Sequence, residues 1–364
     1  MIIMNKILRI AILMSTEVGL KTQYLNWREN FPSNAGIEPT WITVNWWKED
    51  GEIENLPLLP AGVKSRLRAR MELREGFSKG PFDALLLASS VHLPGGNRLL
   101  EQQPFFILLD TTPKQMEDLS GIYEKRRSDI PFQQRRKEKQ WRWRFQNARA
   151  LFPWSHWAAD SMIRDYGADP QKVHIIPPGI DLKKWKYISR DNAGNITHIF
   201  FVGGGFKRKG GDLLLRWAER TKARNWMLHM VTRDAVQPPC ECVRIYNGMS
   251  PNDPELMELY RQADIFVLPT LGDCYSLASM EAMATGLPVI VSAVGGIPDI
   301  IHEGETGFLV PPGDEEALAH RLEFLIANPE LRKEMGDAAR RDAEERYDAE
   351  KNVRMVVERM MREI

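Results

Sequence analysis

Short apolar runs, each followed by a polar or helical stretch, recur along nearly the whole chain, and this alternation restricts the fold more than any other feature. In the first half the runs fall at 10–14, 41–44, 84–88, 105–109 and 150–152, and in the second at 199–202, 227–231, 243–246, 265–268, 289–291 and 308–310. Runs this short and this apolar read as parallel strands buried on both faces. Strand and helix in alternation predict a doubly wound α/β sheet, whose ligands lie beyond the carboxyl ends of the strands. A chain of 364 residues, 43% of them apolar, exceeds what one hydrophobic core usually fills, so two such domains are expected. The polar stretch 183–196, with Gly194 and no periodicity, is the expected linker between a first domain at 1–182 and a second at 197–346. The stretch 175–181 reads as the last strand of the first domain. Helical spacing marks 317–327 and 331–347, and 347–364 reads as a C-terminal helix open to a return onto the first domain.

Charge and cysteine usage narrow the class. Forty-nine basic residues against 49 acidic ones leave no whole-chain field that would call for nucleic acid. Cys240, Cys242 and Cys274 are too few and wrongly spaced for a zinc site or a disulfide framework, and read as free thiols of a reducing compartment. The opening apolar stretch carries Lys6 and Arg9 inside it and is too short for a signal peptide or a membrane span, so the cytoplasm is the expected location.

Chemistry concentrates in the second half. After the strand at 265–268 comes a loop with Asp273, then a helix from Ser276 closed by Gly286, with Glu281 inside it. The free amides near Ser276 and Leu277 at such a helix start suit a diphosphate, and a carboxylate at Glu281 can accept both hydroxyl protons of a ribose diol. After the strand at 199–202 comes Gly203-Gly-Gly-Phe-Lys-Arg-Lys-Gly-Gly211. Its glycines allow close backbone approach, and Arg208 and Lys209 supply positive charge. Neither the Walker pattern nor the dinucleotide spacing of glycines is met.

Taken in order, these motifs resemble the donor site of retaining GT-B glycosyltransferases of the large family 4 type, the glycosyl transferases group 1. The resemblance implies a GT-B fold, two Rossmann-like domains facing a central cleft, and transfer of a hexosyl unit from a UDP- or GDP-linked sugar to a hydroxyl of a glycan or lipid-linked acceptor. No cofactor and no metal ion is implied, the leaving diphosphate being met by Arg208, Lys209 and helix-end amides. The family carries a pair of glutamates where this chain has Asp273, one methylene shorter, and Glu281. Its usual arginine position holds Gly204 here, and Arg208 is expected to take that role beside the matching Lys209. The turn with Met249 and Ser250 corresponds to one whose backbone contacts the nucleotide base, or is an ordinary strand-to-helix turn. The glycine turn at Gly295 and Gly296 is expected to shape the site rather than touch the ligand. In the first domain, Gly19 falls in the loop beside the reacting sugar. Asp110 stands where relatives carry a sugar-contacting histidine, or caps the following turn, and His92 is the other candidate for that role.

The segment 125–144, from Lys125 through Arg135, Arg136, Lys137 and Lys139 to Arg144, is strongly basic and contains Trp141 and Trp143. Such a pattern suits an anionic membrane surface and a lipid-linked acceptor, with Arg66, Arg68, Arg70 and Arg74 extending it. The other reading is a solvated helix with its tryptophans in the core. Rival functions are a GT-B-shaped epimerase or phosphorylase, a dinucleotide-binding protein and a catalytically silent nucleotide-sugar-binding module.

Overall fold

The structure, a computed structural model, describes residues 7–364 apart from 17–18, 34–35, 46, 49, 89–90, 92, 94–95, 124–130 and 190–194. His92 and the Lys125 end of the basic segment therefore lie outside the described residues. The chain divides into two compact units, one of Met1–Met116, Arg127–Pro178 and Glu350–Ile364, the other of Glu117–Arg126 and Gly179–Ala349.

Unit 1 is built on a parallel sheet in the order β2-β1-β3-β4-β5, with β1 at Leu8–Met14, β2 at Ile37–Thr43, β3 at Ala84–Leu87, β4 at Phe105–Leu109 and β5 at Leu151–Pro153. Every residue of β3 and β4 is buried, as expected of strands covered on both faces. At the edge, β2 is half-exposed along most of its length, so it starts before the apolar run that marked it in the sequence. Its helices are α1 (Leu20–Asn30), α2 (Ala61–Phe77), α3 (Pro113–Asp118), which runs out of the unit, α4 (Pro131–Asn147) and α5 (His156–Arg164). Ala69 and Leu73 of α2 and Trp141 and Phe145 of α4 join one core cluster with Leu13, Leu85 and Ile107, so both helices cover the same face of the sheet.

One expectation is corrected here, and one choice left open by the sequence is decided. The stretch 175–181 is not a strand: Val173 makes a single bridge to Leu151, two further amides reach the β5 region, and Pro177 and Pro178 carry no N–H to continue a ladder. The tryptophans of α4 do not face solvent. Trp141 is buried under the Arg144 guanidinium at 4.7 Å, and Trp143 stacks on Phe105, leaving Arg135, Arg136, Lys137 and Lys139 as the exposed basic face.

Unit 2 repeats the scheme with β6 (Thr197–Val202), β7 (Trp226–Val231), β8 (Val243–Tyr246), β9 (Ile265–Leu268), β10 (Val289–Ser292) and β11 (Gly307–Val310), all parallel, in the order β11-β10-β9-β6-β7-β8. The intervening helices are α6 (Gly211–Arg220), α7 (Pro254–Gln262), α8 (Leu277–Ala284), α9 (Glu315–Ala327) and α10 (Pro329–Arg346), and α11 (Ala349–Glu363) then belongs almost wholly to unit 1. The chain runs from β6 outward to β8, then returns to lay β9 on the other side of β6. In sheets of this kind the carboxyl ends of the strands at such a reversal, here β6 and β9, are the usual ligand position. Cysteine usage also differs from expectation: Cys240 and Cys242 form a disulfide, and only Cys274 is free and buried. Two residues apart in the β7–β8 connection, they reach each other locally, a pairing that spacing rules drawn from long-range frameworks pass over.

Candidate functional site

The loops after β6 and β9, at the reversal point of unit 2, are locked to each other. Gly210 has φ 78°, and a Cβ there would stand 2.0 Å from the Pro269 carbonyl oxygen, so only glycine fits. The Leu271 N–H donates to the Arg208 carbonyl at 2.8 Å, Arg208 Nη1 donates to the Gly272 carbonyl at 2.8 Å, and Lys209 forms an ion pair with Asp273. Asp234 fastens the glycine loop from the β7 side by accepting the Phe206 N–H at 2.7 Å. Arg208 and Lys209 thus meet Asp273, which lies 64 residues beyond Lys209 in the chain.

Both oxygens of Asp273 are engaged, one by Lys209 and the other by its neighbour Cys274, whose N–H donates at 3.2 Å. The turn at Gly295 and Gly296 packs against this loop, with Gly296 N–H donating to the Cys274 carbonyl at 2.9 Å. Ser276 then caps α8, its hydroxyl accepting from the Ser279 N–H at 3.2 Å, a cap of the kind worth about 1 kcal/mol. Among the described residues no acceptor is recorded for the Leu277 and Ala278 amides, the first two of the helix. Glu281 is buried one turn on and accepts the Tyr260 hydroxyl at 3.0 Å. Burial pushes its carboxyl up to about 7, with the Tyr260 hydrogen bond opposing the shift.

Other expected residues fall as follows. Gly204 is exposed on the outer side of the glycine loop, and the Arg233 guanidinium lies 3.6 Å from where its Cβ would stand. The Ser250 N–H is taken by Asp253, the residue just before α7, and Met249 precedes it in the same turn. Gly19 starts α1 at φ 90°, at the reversal point of the unit 1 sheet between β1 and β3. Asp110 follows β4 half-buried, and α3 has a cap of its own. That cap is Thr112, which exchanges hydrogen bonds with Gln115 as a capping box.

Sequence reasoning missed Tyr260, Arg233 and Tyr123. Tyr260 lies at the end of α7, where an apolar helix face gives it the look of a core residue. Arg233 comes just after Thr232 at the carboxyl end of β7, so the rule that ligands bind at strand ends was a signal for it. Tyr123, whose ring lies 4.4 Å from the Arg208 guanidinium, comes from a segment with no local signal at all. Burial pushes its phenol up, and the charge of Asp273 adds to the shift.

Two parallel doubly wound units, the second with cations and a capped helix at its reversal point, define the GT-B class of glycosyltransferase folds. The family model for Glycosyl transferases group 1 matches residues 189–342, and that for Glycosyltransferase Family 4 matches residues 33–184. The chain belongs to this glycosyltransferase family of the group 1, family 4 type. It is 31% identical to a D-inositol 3-phosphate glycosyltransferase of Corynebacterium efficiens over 206 residues, which cover 49% of this chain and 48% of that protein. The chain spans about half the length of the curated relatives it matches. Sucrose-phosphate synthase from Thermosynechococcus elongatus shares the fold with a TM-score of 0.72 at 18% identity over 98% of both chains. Anabaena HepE, solved in complex with UDP-glucose, shares it with a TM-score of 0.62 at 14% identity, over 98% of this chain and 100% of that one.

Proposed function

We propose that the chain transfers a hexosyl unit from a UDP- or GDP-linked sugar to a hydroxyl acceptor, with retention of configuration and without a metal ion. The observation that carries the reading is the convergence, at the reversal point of unit 2, of Arg208 and Lys209 with the open amides of α8, and of Glu281 one turn further along that helix. A nucleoside diphosphate gains negative charge as it departs, and fixed cations and amides stabilise that charge without rearranging. Lys209 and Arg208, with the Leu277 and Ala278 amides, take the diphosphate, and Glu281 accepts hydroxyls of the ribose. The acceptor oxygen bonds to the anomeric carbon on the face the diphosphate leaves. As the bond from carbon to phosphate oxygen breaks, the acceptor proton passes to that oxygen. Asp273, tied to Lys209 and Cys274, and Glu281, held by Tyr260, serve as positioning and binding groups rather than nucleophiles. The UDP-glucose in Anabaena HepE supports a nucleotide-sugar donor.

Gly19 and Asp110 are assigned to the sugar and acceptor side of the reaction. The acceptor is lipid-linked in this reading, and the protein works in the cytoplasm against an anionic membrane. No described helix is long and apolar enough to cross one. Contact is assigned to the outer faces of α2 and α4, which cover one side of the unit 1 sheet. They expose Arg66, Arg70 and Arg74 beside Leu67 and Met71, and Arg135, Arg136, Lys137 and Lys139 beside Phe132.

A thermal-shift screen of nucleotide sugars tests the donor assignment. At about 100 times its dissociation constant the true donor adds about 2.7 kcal/mol, a rise on the order of 5 °C. Lys209→Ala should keep most of that shift yet lose turnover by about 10²-fold or more, since the charge it meets grows toward the transition state. A screen in which no nucleotide sugar moves the melting temperature rejects the reading, and loss of activity on adding a chelator rejects its metal-free form.

A further inference from the structure

The stretch that follows α3 packs within unit 2, although the chain before and after Glu117–Arg126 belongs to unit 1. Three contacts seat it on the loops that hold the cations. Ile122 presses on Gly272 so closely that a Cβ there would meet its side chain at 2.9 Å. The Tyr123 hydroxyl lies 3.9 Å from the Cys274 sulfur, and the Tyr123 ring lies 4.4 Å from the Arg208 guanidinium.

We propose that Tyr123 is the positioning residue for Arg208, its ring face holding the guanidinium in place for the donor diphosphate. The proposal deepens the nucleotide-sugar reading and rests on it. Arg208 and Lys209 face the same task with different partners. Lys209 is held by a carboxylate, which neutralises it and which an incoming phosphate must displace. An aromatic face instead attracts the guanidinium through its quadrupole and leaves the full positive charge in place. One donor of the guanidinium goes to the Gly272 carbonyl, and the rest of the fork remains for phosphate oxygens. A flexible arginine that is fixed beforehand loses less freedom on binding, so the ring should act on affinity for the diphosphate and not for the base.

The test compares wild type, Tyr123→Phe and Tyr123→Leu by calorimetry with UDP and GDP, and with uridine and guanosine at higher concentration. Tyr123→Leu keeps an apolar side chain at this position, leaves the Ile122 contact with Gly272 untouched, and should weaken the preferred diphosphate about tenfold while leaving its nucleoside within twofold. Tyr123→Phe should restore diphosphate affinity, because the ring and not the hydroxyl does the holding. In an Arg208→Gln background, Tyr123→Leu should cost nothing further, as a residue acting only through Arg208 must. Equal losses for nucleoside and diphosphate, or full losses that add in the double variant, overturn the proposal by making Tyr123 a general packing residue. Unchanged diphosphate binding in Tyr123→Leu overturns it as well. Wild type that binds neither UDP nor GDP overturns the donor reading itself, an outcome separable from the others because it appears before any substitution is made.

Discussion

Glu281 shows how much one buried acid governs. Its carboxyl, raised to about 7 by burial, is part protonated near neutrality, and only the ionised form accepts two ribose hydroxyls. Nucleoside diphosphate affinity should therefore rise with pH through about 7 and level off above it. The ligand-free protein should respond in the opposite sense. An acid with a raised folded pKa holds its proton longer folded than unfolded, so stability falls as pH climbs from 4.5 through about 7. Calorimetric titration from acid to alkaline pH, run beside Glu281→Gln to remove the phosphate's own titration, checks this. If the two profiles have the same shape, the carboxyl is not at the nucleotide. Glu281 was legible as a candidate because its helix start and strand were legible. Its Tyr260 partner was not, since the contact joins α7 to α8 through packing that no spacing encodes.

At the scale of elements, α2 depends on a buried ion pair that also decides what it exposes. Arg68 donates to both carboxylate oxygens of Glu54, from its Nε at 2.9 Å, and the Lys64 amino group donates to the Glu54 carbonyl at 2.7 Å. The Arg68 hydrogen bonds hold the Glu54 carboxyl at about 2. Its contribution is present above the usual value of 4.5 and lost as pH falls toward about 2. Glu54→Gln strands a buried guanidinium and should cost about 3–5 kcal/mol, whereas Glu54→Leu with Arg68→Met should recover most of that loss. Urea unfolding at neutral pH measures both. A cost below about 1 kcal/mol for Glu54→Gln would mean that water reaches the pair. Arg68, read from sequence as part of a basic surface, is instead interior. Arg66, Arg70 and Arg74 stay outside, because a helix separates neighbours by the angle that the binary pattern of this segment leaves ambiguous.

For the molecule as a whole, the membrane assignment makes a prediction about binding. With about 1 kcal/mol from each basic residue near an anionic surface, α2 and α4 together should hold the protein to anionic vesicles and not to neutral ones. Added salt should release it. Replacing Arg135, Arg136, Lys137 and Lys139 with Gln should sharply reduce sedimentation while leaving nucleotide binding unchanged, since these residues lie in unit 1 and the nucleotide groups in unit 2. Wild type that ignores anionic vesicles at low salt would return both helices to ordinary solvated faces and favour a soluble acceptor. The tryptophans no longer bear on the question, because Trp141 and Trp143 are used by the core.

Local patterning alone determined the alternating α/β scheme, the strands of unit 2 to within a residue or two, the helices at Pro254–Gln262 and Glu315–Ala327, and the two loops with Arg208, Lys209 and Asp273. Fully buried parallel strands must be short and apolar, and helix caps and glycine turns are written within a few residues, so these features need no distant partner. Tertiary structure decided the rest. The Lys209–Asp273 pair, Tyr260 on Glu281, Tyr123 beneath Arg208, the inward tryptophans of α4 and the inclusion of Glu117–Arg126 in unit 2 all join residues far apart in the chain. Each is settled by which surfaces must be removed from water together, and that is a property of the packed whole.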